Sequence, residues 1–260
     1  MYIGIDLGGT NVRIAGSKKL DNVELVEIKR FELSHDFEDD FAKINRAIED
    51  ISGGKVDGIG IGTPGTYNED RSLLISGRNI IEWKDVPFIE NLSKKFDCPV
   101  FAENDAVTTS LGEFFYGQED IDDFIYIVWG TGIGGAIVNN NKGEVTSEKI
   151  DWHKYFENFD SHCGGKNLAE RFGKEVSELN DSEWVEVIND FENHLLEISK
   201  RINQKDIVLG GGITERQKAR LKKVKDNLAQ KGINLRISNF GHDGGLYGAM
   251  ALVKNKLSNF

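Results

Sequence analysis

The stretch "YIGIDLGGTNVRIAG", residues 2–16, combines two apolar runs with one acid and two adjacent glycines. The first run, "YIGIDL", is typical of a buried strand, yet it contains Asp6. Burying a carboxylate without a partner costs several kcal/mol, so a strand core gains nothing from this residue. We therefore expect a cation or another partner to lie against Asp6.

The two apolar runs are separated by Gly8, Gly9 and Thr10. In a dinucleotide-binding fold, glycines at this position lead into a helix. Here "NVRIAG" alternates in the manner of a strand, which predicts a β-hairpin.

Composition limits the function classes. The 260 residues are 39% hydrophobic and carry a net charge of -11. That charge argues against a nucleic-acid partner, because phosphate-backbone binding needs an excess of Lys and Arg. No apolar run approaches the roughly 20 residues of a membrane span. Met1 leads directly into the first strand. The two cysteines, Cys98 and Cys163, are too few for a disulfide scaffold, which fits a reducing compartment. We expect a cytoplasmic protein without a membrane partner.

Short β-rich runs alternate with amphipathic segments, which predicts an α/β protein. Strands are predicted at 2–7, 11–16, 24–32, 57–62, 99–102, 124–129, 133–138 and 206–209. Helices are predicted at 37–51, ended by Gly53, at 181–202, capped by Asp181, and after Thr214, which forms a capping box with Gln217.

Two further glycine clusters follow predicted strands. Gly130, Thr131 and Gly132 separate two apolar runs, and "IVLGGGIT" at 207–214 ends a strand before a helix. Each cluster by itself is consistent with an ordinary tight turn. Consecutive backbone N–H groups at such turns also form anion-binding concavities, so the three clusters together indicate a clamp for a polyphosphate and its nucleoside.

Seven motifs occur in one order along the chain: "DLGGTNVRIAG", "GIGTPG", "NIIEW", "AENDAVTTSLGE", "WGTGIGGAIV", "IVLGGG" and "GLYGAMALV". This series resembles the ROK family of sugar kinases and related repressors, within the actin-like ATPase superfamily. The resemblance implies two ribonuclease-H-like α/β domains with an interdomain cleft. It places the domains at 1–116 and 117–244, with a C-terminal helix at about 245–260 that packs back on the first.

The resemblance also implies ATP and Mg²⁺ as cofactors, with Asp6 facing the phosphates through the metal ion. Mg²⁺ prefers carboxylate, phosphate and water oxygens, so it is the cation that we expect to lie against Asp6. A position on the strand surface is the alternative for Arg13. The implied nucleotide contacts are Asp6, Gly8, Gly9, Thr10, Asn11, Arg13, Gly130, Thr131, Gly132, Gly210, Gly211 and Gly212.

By the same resemblance, Asp105 in "FAENDAV" is the catalytic base that takes the proton of the attacking sugar hydroxyl. From the sequence alone, an N-cap for a helix at 106–116 is an equal alternative. The implied sugar contacts from this half of the chain are Asn104, Asn79 and the Gly65 backbone.

Residues 147–173 depart from the family pattern. The family carries Gly-Glu-x-Gly-His followed by a zinc-binding Cys-x-Cys-Gly-x-x-Gly-Cys-x-Glu. Here Ser161 and Leu168 stand where two of the cysteines belong, so we expect no structural zinc.

Three sugar contacts are carried over from that motif. Glu170 matches the family acid, and His153 matches the family histidine. Glu148 replaces the first Glu, although it lies five residues before His153 rather than three. A solvated side chain is the alternative for Glu148.

We therefore expect an ATP-dependent kinase that phosphorylates a hexose hydroxyl, with glucose and its 6-hydroxyl as the simplest case. One alternative is a kinase for N-acetylglucosamine or N-acetylmannosamine. The other is a non-catalytic sugar-binding regulator. Because family repressors carry a helix-turn-helix ahead of the first motif and only Met1 precedes Tyr2 here, we expect the enzyme. By analogy we expect a homodimer whose partner molecule is a small sugar.

Overall fold

The computed structural model describes residues 1–77, 79–152 and 158–258. The chain divides into two compact units. Unit 1 comprises Met1–Gln118 together with Asp243–Phe260, and unit 2 comprises Glu119–His242. Each unit has its own mixed sheet and its own apolar core.

Unit 1 contains a five-stranded sheet in the order β3-β2-β1-β4-β7. The first three strands pair antiparallel, whereas β1, β4 and β7 run parallel. Its elements are β1 Tyr2–Leu7, β2 Asn11–Ser17, β3 Val26–Glu32, α1 Phe37–Ser52, β4 Gly58–Thr63, β5 Thr66–Tyr67, β6 Leu74–Ser76, α2 Phe88–Phe96, β7 Val100–Asn104, α3 Asp105–Gly112, a π-helical turn Glu113–Gly117 and, from the end of the chain, α9 Gly244–Leu257.

Unit 2 contains a second five-stranded sheet, in the order β10-β9-β8-β11-β12. Again three strands pair antiparallel and three run parallel, so the two sheets share one strand order and one set of directions. Its elements are β8 Phe124–Trp129, β9 Ile133–Asn141, β10 Glu144–Lys149, α4 Phe159–Cys163, α5 Gly165–Phe172, α6 Asp181–Ile202, β11 Asp206–Gly210, α7 Gly212–Arg216, α8 Lys218–Gln230 and β12 Asn234–Ile237.

Aromatic side chains fill the centre of the unit 2 core. Trp129 stacks on Phe191 with ring centroids 3.9 Å apart, and Phe159 packs against Phe191 at 5.4 Å. Cys163 and Leu168 are fully buried in the same core. Three residues of the segment that departs from the family pattern, Phe159, Cys163 and Leu168, are therefore part of the apolar interior of unit 2.

Helix α9 packs against β4 and α3 at unusually short range, because glycines lie at the points of contact. A Cβ on Gly60 of β4 would lie 1.9 Å from the Ala249 carbonyl oxygen. A Cβ on Gly112 of α3 would lie 2.8 Å from the Gly248 nitrogen. The helix thus touches both the sheet and α3 through main-chain atoms, which fixes its position along and across the sheet.

The predicted α/β class and each predicted strand are confirmed, with ends that differ by at most three residues. The hairpin reading of the first glycine turn is also confirmed, since β1 and β2 pair antiparallel. The sequence reading missed β5, β6, β10 and β12. These strands are short or polar, as in "EVTSEK", and their identity depends on pairing with a neighbour.

Two helix-end predictions were wrong. Asn180, not Asp181, caps α6 by accepting hydrogen bonds from the Ser182 and Glu183 nitrogens. Thr214 lies inside α7, where its hydroxyl donates to the Gly210 carbonyl at 2.8 Å, so it caps nothing. In contrast, the helix expected at 106–116 is present as α3 followed by the π-helical turn, with both ends within one residue of the prediction. Gly53 ends α1 in the left-handed conformation, as predicted.

Within the described ranges, no helix has both the length and the apolar character that crossing a bilayer requires.

The contact between β4 and α9 predicts that Gly60→Ala lowers the free energy of unfolding by about 3 kcal/mol, because the new methyl group meets a main-chain carbonyl that has no room to move. Urea denaturation followed by circular dichroism measures the change. Gly53→Asn is the control, since nothing lies near that Cβ and Asn tolerates the left-handed conformation. A Gly60→Ala midpoint equal to that of the unsubstituted chain would contradict the prediction.

Candidate active site

In unit 1, the carboxyl ends of three parallel strands meet at one edge of the sheet. The register pairs Asp6 of β1 with Gly62 of β4, and Gly62 with Glu103 of β7. With neighbouring strands about 4.8 Å apart, the Asp6 and Glu103 backbones lie about 10 Å apart. Asp105 follows two residues after Glu103. The sheet therefore brings both predicted carboxylates, Asp6 and Asp105, to the same edge, where ligands bind in open α/β sheets.

Asp6 has a charged partner in the structure. The Arg13 guanidinium donates a hydrogen bond to the Asp6 carboxylate, and the Asp6 side chain is 15% exposed. Asp243 accepts from Arg30 at 3.0 Å and lies 3.8 Å from Arg13. Desolvation raises the pKa of Asp6 above its ordinary value, and Arg13 opposes that effect.

The amino end of α9 also lies against Asp6. A Cβ on Gly245 would be 2.4 Å from the Asp6 carboxyl carbon, so only glycine leaves space for the carboxylate there. The first turn of a helix carries a partial positive charge that favours an anion. Arg13, which the sequence left open between a ligand contact and a surface position, is a direct partner of Asp6.

The first glycine turn is closed by a hydrogen bond from the Gly8 nitrogen to the Asn11 carbonyl at 2.9 Å. Thr10 and Asn11 are exposed. Asn79 packs against this turn, because a Cβ on Gly9 would lie 2.6 Å from the Asn79 Cβ. A predicted phosphate contact and a predicted sugar contact are thus neighbours in unit 1.

Asp105 is exposed at the start of α3, with its Oδ1 accepting from the Ala106 nitrogen at 2.8 Å. The N-cap of α3 is Asn104, whose Oδ1 accepts from the same nitrogen at 3.1 Å. The Asn104 side-chain nitrogen donates to the Gly65 carbonyl at 3.0 Å. Capping is therefore assigned to Asn104. The same bond joins two predicted sugar contacts, Asn104 and Gly65.

The sequence reading missed the polar groups around Asp105. The Arg71 Nε donates to Glu103 at 2.6 Å, and the other Glu103 oxygen accepts from the Asn104 nitrogen at 2.8 Å. The Tyr67 hydroxyl lies 2.9 Å from the Thr63 hydroxyl, also at this edge. The position of Arg71 in the sequence does not indicate this contact, because the hairpin of β5 and β6 is what brings Arg71 next to Glu103.

In unit 2, the second glycine turn, Gly130–Gly132, joins the antiparallel strands β8 and β9. A pocket of about 520 Å³ opens beside it. Gly130 and Thr131 line this pocket together with two exposed cations, Lys166 and Arg216. The sequence reading found the turn but missed both cations, since they lie 35 or more residues further along the chain.

The third cluster has mixed roles. A Cβ on Gly210 would lie 2.2 Å from the Tyr126 hydroxyl, and one on Gly211 would lie 2.5 Å from the Trp129 carbonyl. These two glycines are required by packing within unit 2. Gly212 has open space, with its nearest neighbour a guanidinium nitrogen of Arg216 at 3.5 Å, so it is the member of this cluster that a ligand can approach.

The remaining predicted sugar contacts are spread over unit 2. Glu148 is exposed on the edge strand β10, opposite Ile137 of β9. Glu170 is exposed on α5. His153 lies outside the described residues. No group of three or more His, Cys, Asp or Glu side chains among residues 1–77, 79–152 and 158–258 is arranged to hold a metal ion.

Sequence comparison finds the ROK family model over residues 2–145. The chain is 25% identical to a glucokinase of Halalkalibacterium halodurans over an alignment of 322 positions, which covers 98% of this chain and 95% of the relative. It is 29% identical to a xylose repressor of Caldicellulosiruptor bescii over 193 residues, covering 66% of this chain and 46% of the relative.

Structure comparison finds solved structures with the same fold. A ROK family glucokinase from Streptomyces griseus, solved in complex with glucose and AMPPNP, superposes with a TM-score of 0.73 at 19% identity. The match covers 96% of this chain and 98% of that one, and shows that the two share a fold. Because the family model spans more than half of the sequence, the chain belongs to the ROK family.

Proposed function

We propose that this protein is an ATP-dependent kinase that phosphorylates a hexose hydroxyl, with glucose and its 6-hydroxyl as the simplest substrate. The observation that carries the proposal is the convergence of Asp6 and Asp105 at one edge of the unit 1 sheet. The glucokinase relative, aligned over 98% of the chain, supports the same activity. Two sheets of identical strand order support the expected pair of ribonuclease-H-like domains.

Asp105 is the proposed catalytic base. Its carboxylate is exposed at the start of α3, directly after β7, and Asn104 supplies the helix cap, so capping does not require the Asp105 side chain. A carboxylate in this position takes the proton of the sugar hydroxyl as the hydroxyl oxygen attacks the γ-phosphorus. In phosphoryl transfer the protein mainly positions the reactants and neutralises charge, so this proton transfer and correct alignment are its main chemical contributions.

Asp6 is the proposed carboxylate for the magnesium complex of ATP, which we treat as the second substrate. Mg²⁺ bound to nucleotides is typically held by one or two carboxylates together with phosphate and water oxygens. One partly exposed carboxylate beside a glycine turn matches that donor set. Arg13 and the amino end of α9 lie beside the same carboxylate and add positive charge for the phosphates.

Unit 2 supplies the proposed nucleotide pocket. Lys166 and Arg216 outweigh the lining acid Glu175 and give the pocket wall the positive charge that an anionic ligand requires, whereas the chain as a whole carries -11. Thr131 and the open Gly212 provide main-chain and hydroxyl donors at the ends of β8 and β11. We propose that Gly210 and Gly211 contribute through packing rather than through contact with the nucleotide.

The similarity to a xylose repressor supports the alternative of a non-catalytic, sugar-binding regulator. A kinase produces ADP in proportion to added hexose, whereas a regulator binds the sugar without turnover. A coupled ADP assay with a panel of hexoses and N-acetylhexosamines separates these cases and identifies the sugar. The cytoplasmic location, the homodimer, the interdomain cleft and the sugar contacts of Glu148, His153 and Glu170 stay predictions.

The proposed base predicts that Asp105→Asn lowers kcat by about 10²- to 10⁴-fold and leaves the unfolding midpoint unchanged, because Asn104 still caps α3. The coupled assay measures the rate, and calorimetry checks that ATP and sugar still bind. Asp97→Asn is the matched control at the opposite end of β7, where the residue is exposed and left-handed. Full hexose-dependent turnover by Asp105→Asn would show that the base is assigned wrongly.

Asp6→Asn is expected to lower kcat by about 10²- to 10³-fold without lowering stability at pH 7. The pKa of Asp6 is higher in the folded chain, so the folded state binds the extra proton and stability falls as pH rises through the range above 3.8. Asp6→Asn removes the carboxylate charge, and with it the loss of stability that accompanies ionisation of Asp6 in the folded chain. Chemical denaturation and the coupled assay, run on the same sample, give both quantities.

Asp39→Asn is the control for which we expect the opposite effect on stability. A hydrogen bond from Lys43 lowers the pKa of Asp39, so its ionised carboxylate stabilises the folded state at pH values above the ordinary pKa of Asp. We expect it to be active and slightly less stable. A marked loss of stability in Asp6→Asn would indicate that Asp6 serves the structure through Arg13 rather than the reaction.

Lys166→Met is expected to raise the KM for ATP about threefold to tenfold and to leave the KM for sugar unchanged, because the ammonium group lies on the wall of the nucleotide pocket. Initial-rate kinetics with each substrate varied in turn measure both constants. Lys222→Met, which removes an exposed charge from α8, is the control. Equal KM values for ATP in both variants would remove Lys166 from the proposed site.

A further inference from the structure

The Gly130–Gly132 turn is held by the short segment that contains α4 and α5. The Gly165 nitrogen donates to the Gly130 carbonyl at 2.9 Å, and the Lys166 nitrogen donates to the Thr131 carbonyl at 2.7 Å. The third bond comes from a side chain: the Asp160 Oδ1 accepts from the Ile133 nitrogen at 2.6 Å. Three hydrogen bonds thus hold Gly130, Thr131 and Ile133 in place within unit 2.

Asp160 is itself held in place. Its second carboxylate oxygen accepts from the Asn167 side-chain nitrogen at 3.2 Å. Its carbonyl accepts from the same nitrogen at 2.9 Å and from the Gly164 nitrogen at 2.7 Å. A Cβ on Gly164 would lie 2.4 Å from Oδ1 and one on Gly132 would lie 3.1 Å away, so glycines leave space for the carboxylate on both sides.

These bonds orient the peptide groups of the turn. A planar trans peptide directs its N–H opposite to its carbonyl. Because the carbonyls of Gly130 and Thr131 point at the start of α5, the N–H groups of Thr131 and Gly132 point away from it. Two successive N–H groups directed the same way form a concavity that binds an anion.

We propose that Asp160 is a positioning residue for nucleotide binding, which fixes the second glycine turn so that the Thr131 and Gly132 N–H groups meet a phosphate of ATP. This inference rests on the proposed function, in which that turn binds the nucleotide. Asp160 touches no substrate and acts through Ile133. The chemical requirement at this position is an oxygen acceptor, not a negative charge.

The test uses the full chain with ATP as the probe. Asp160→Ala is expected to weaken ATP binding measured by calorimetry, and to raise the KM for ATP, by about tenfold, whereas the KM for glucose changes less than about twofold. Asp160→Asn keeps an oxygen acceptor in the same place and is expected to restore ATP affinity close to that of the unsubstituted chain.

The same hairpin offers a matched control. Asp123 Oδ1 accepts from the Asn140 nitrogen at 2.8 Å, at the opposite end of the β8–β9 pair. Asp123→Ala removes a bond of the same type from the same hairpin and is expected to bind ATP normally. Should Asp160→Ala not fold, Asn167→Ala, which removes the hydrogen bonds from Asn167 to the carboxylate and to the carbonyl of Asp160, is expected to weaken ATP binding about threefold.

Three results would overturn the inference: unchanged ATP affinity in both Asp160→Ala and Asn167→Ala, an equal loss of affinity in Asp123→Ala, or a parallel rise in the KM for glucose. Failure of the proposed function has a different signature, since the unsubstituted chain would then bind no ATP. That result would overturn the positioning role as well.

Discussion

Main-chain contact along α9 is the constraint on which unit 1 depends. Gly60 and the facing Gly112 and Gly248 let this helix reach both the sheet and α3 without intervening side chains. That contact is made by elements from opposite ends of the chain and sets where the amino end of α9 lies. Asp6, at the end of β1, is then placed against the first turn of the helix. A change that moved α9 would displace the surroundings of Asp6 without touching a ligand.

This acidic protein concentrates positive charge at its candidate ligand-binding groups. With a net charge of -11, the chain would repel a triphosphate unless cations were concentrated at its binding groups. In unit 1, Arg13 and Arg30 lie around Asp6 and Asp243. In unit 2, Lys166 and Arg216 line the pocket beside the second glycine turn. The cations come from scattered positions, so local folding rather than composition determines the charge that a ligand would meet.

Much of the fold was predictable because buried strands and amphipathic helices have short-range signatures. The β1–β2 hairpin followed from the alternation in "NVRIAG", and α6 followed from its apolar stripe. Helix ends were less predictable, since Asn180 and Asp181 are both good caps and only backbone geometry separates them. The residues of the candidate site were likewise only partly predictable from the sequence. Asp105 lies in a recognisable motif, whereas Arg71 and Asp160 acquire meaning only when a hairpin or a helix brings them to their partners.

The interior of unit 2 near Cys163 has a consequence for the conditions under which this protein can be made. Where the family motif places two metal-binding cysteines, Leu168 is buried among apolar side chains and the Ser161 hydroxyl bonds to the main chain of Asn158. Burial raises the pKa of the Cys163 thiol, which makes the reactive thiolate scarce. We therefore expect Cys163 to resist oxidation while this protein is produced and stored.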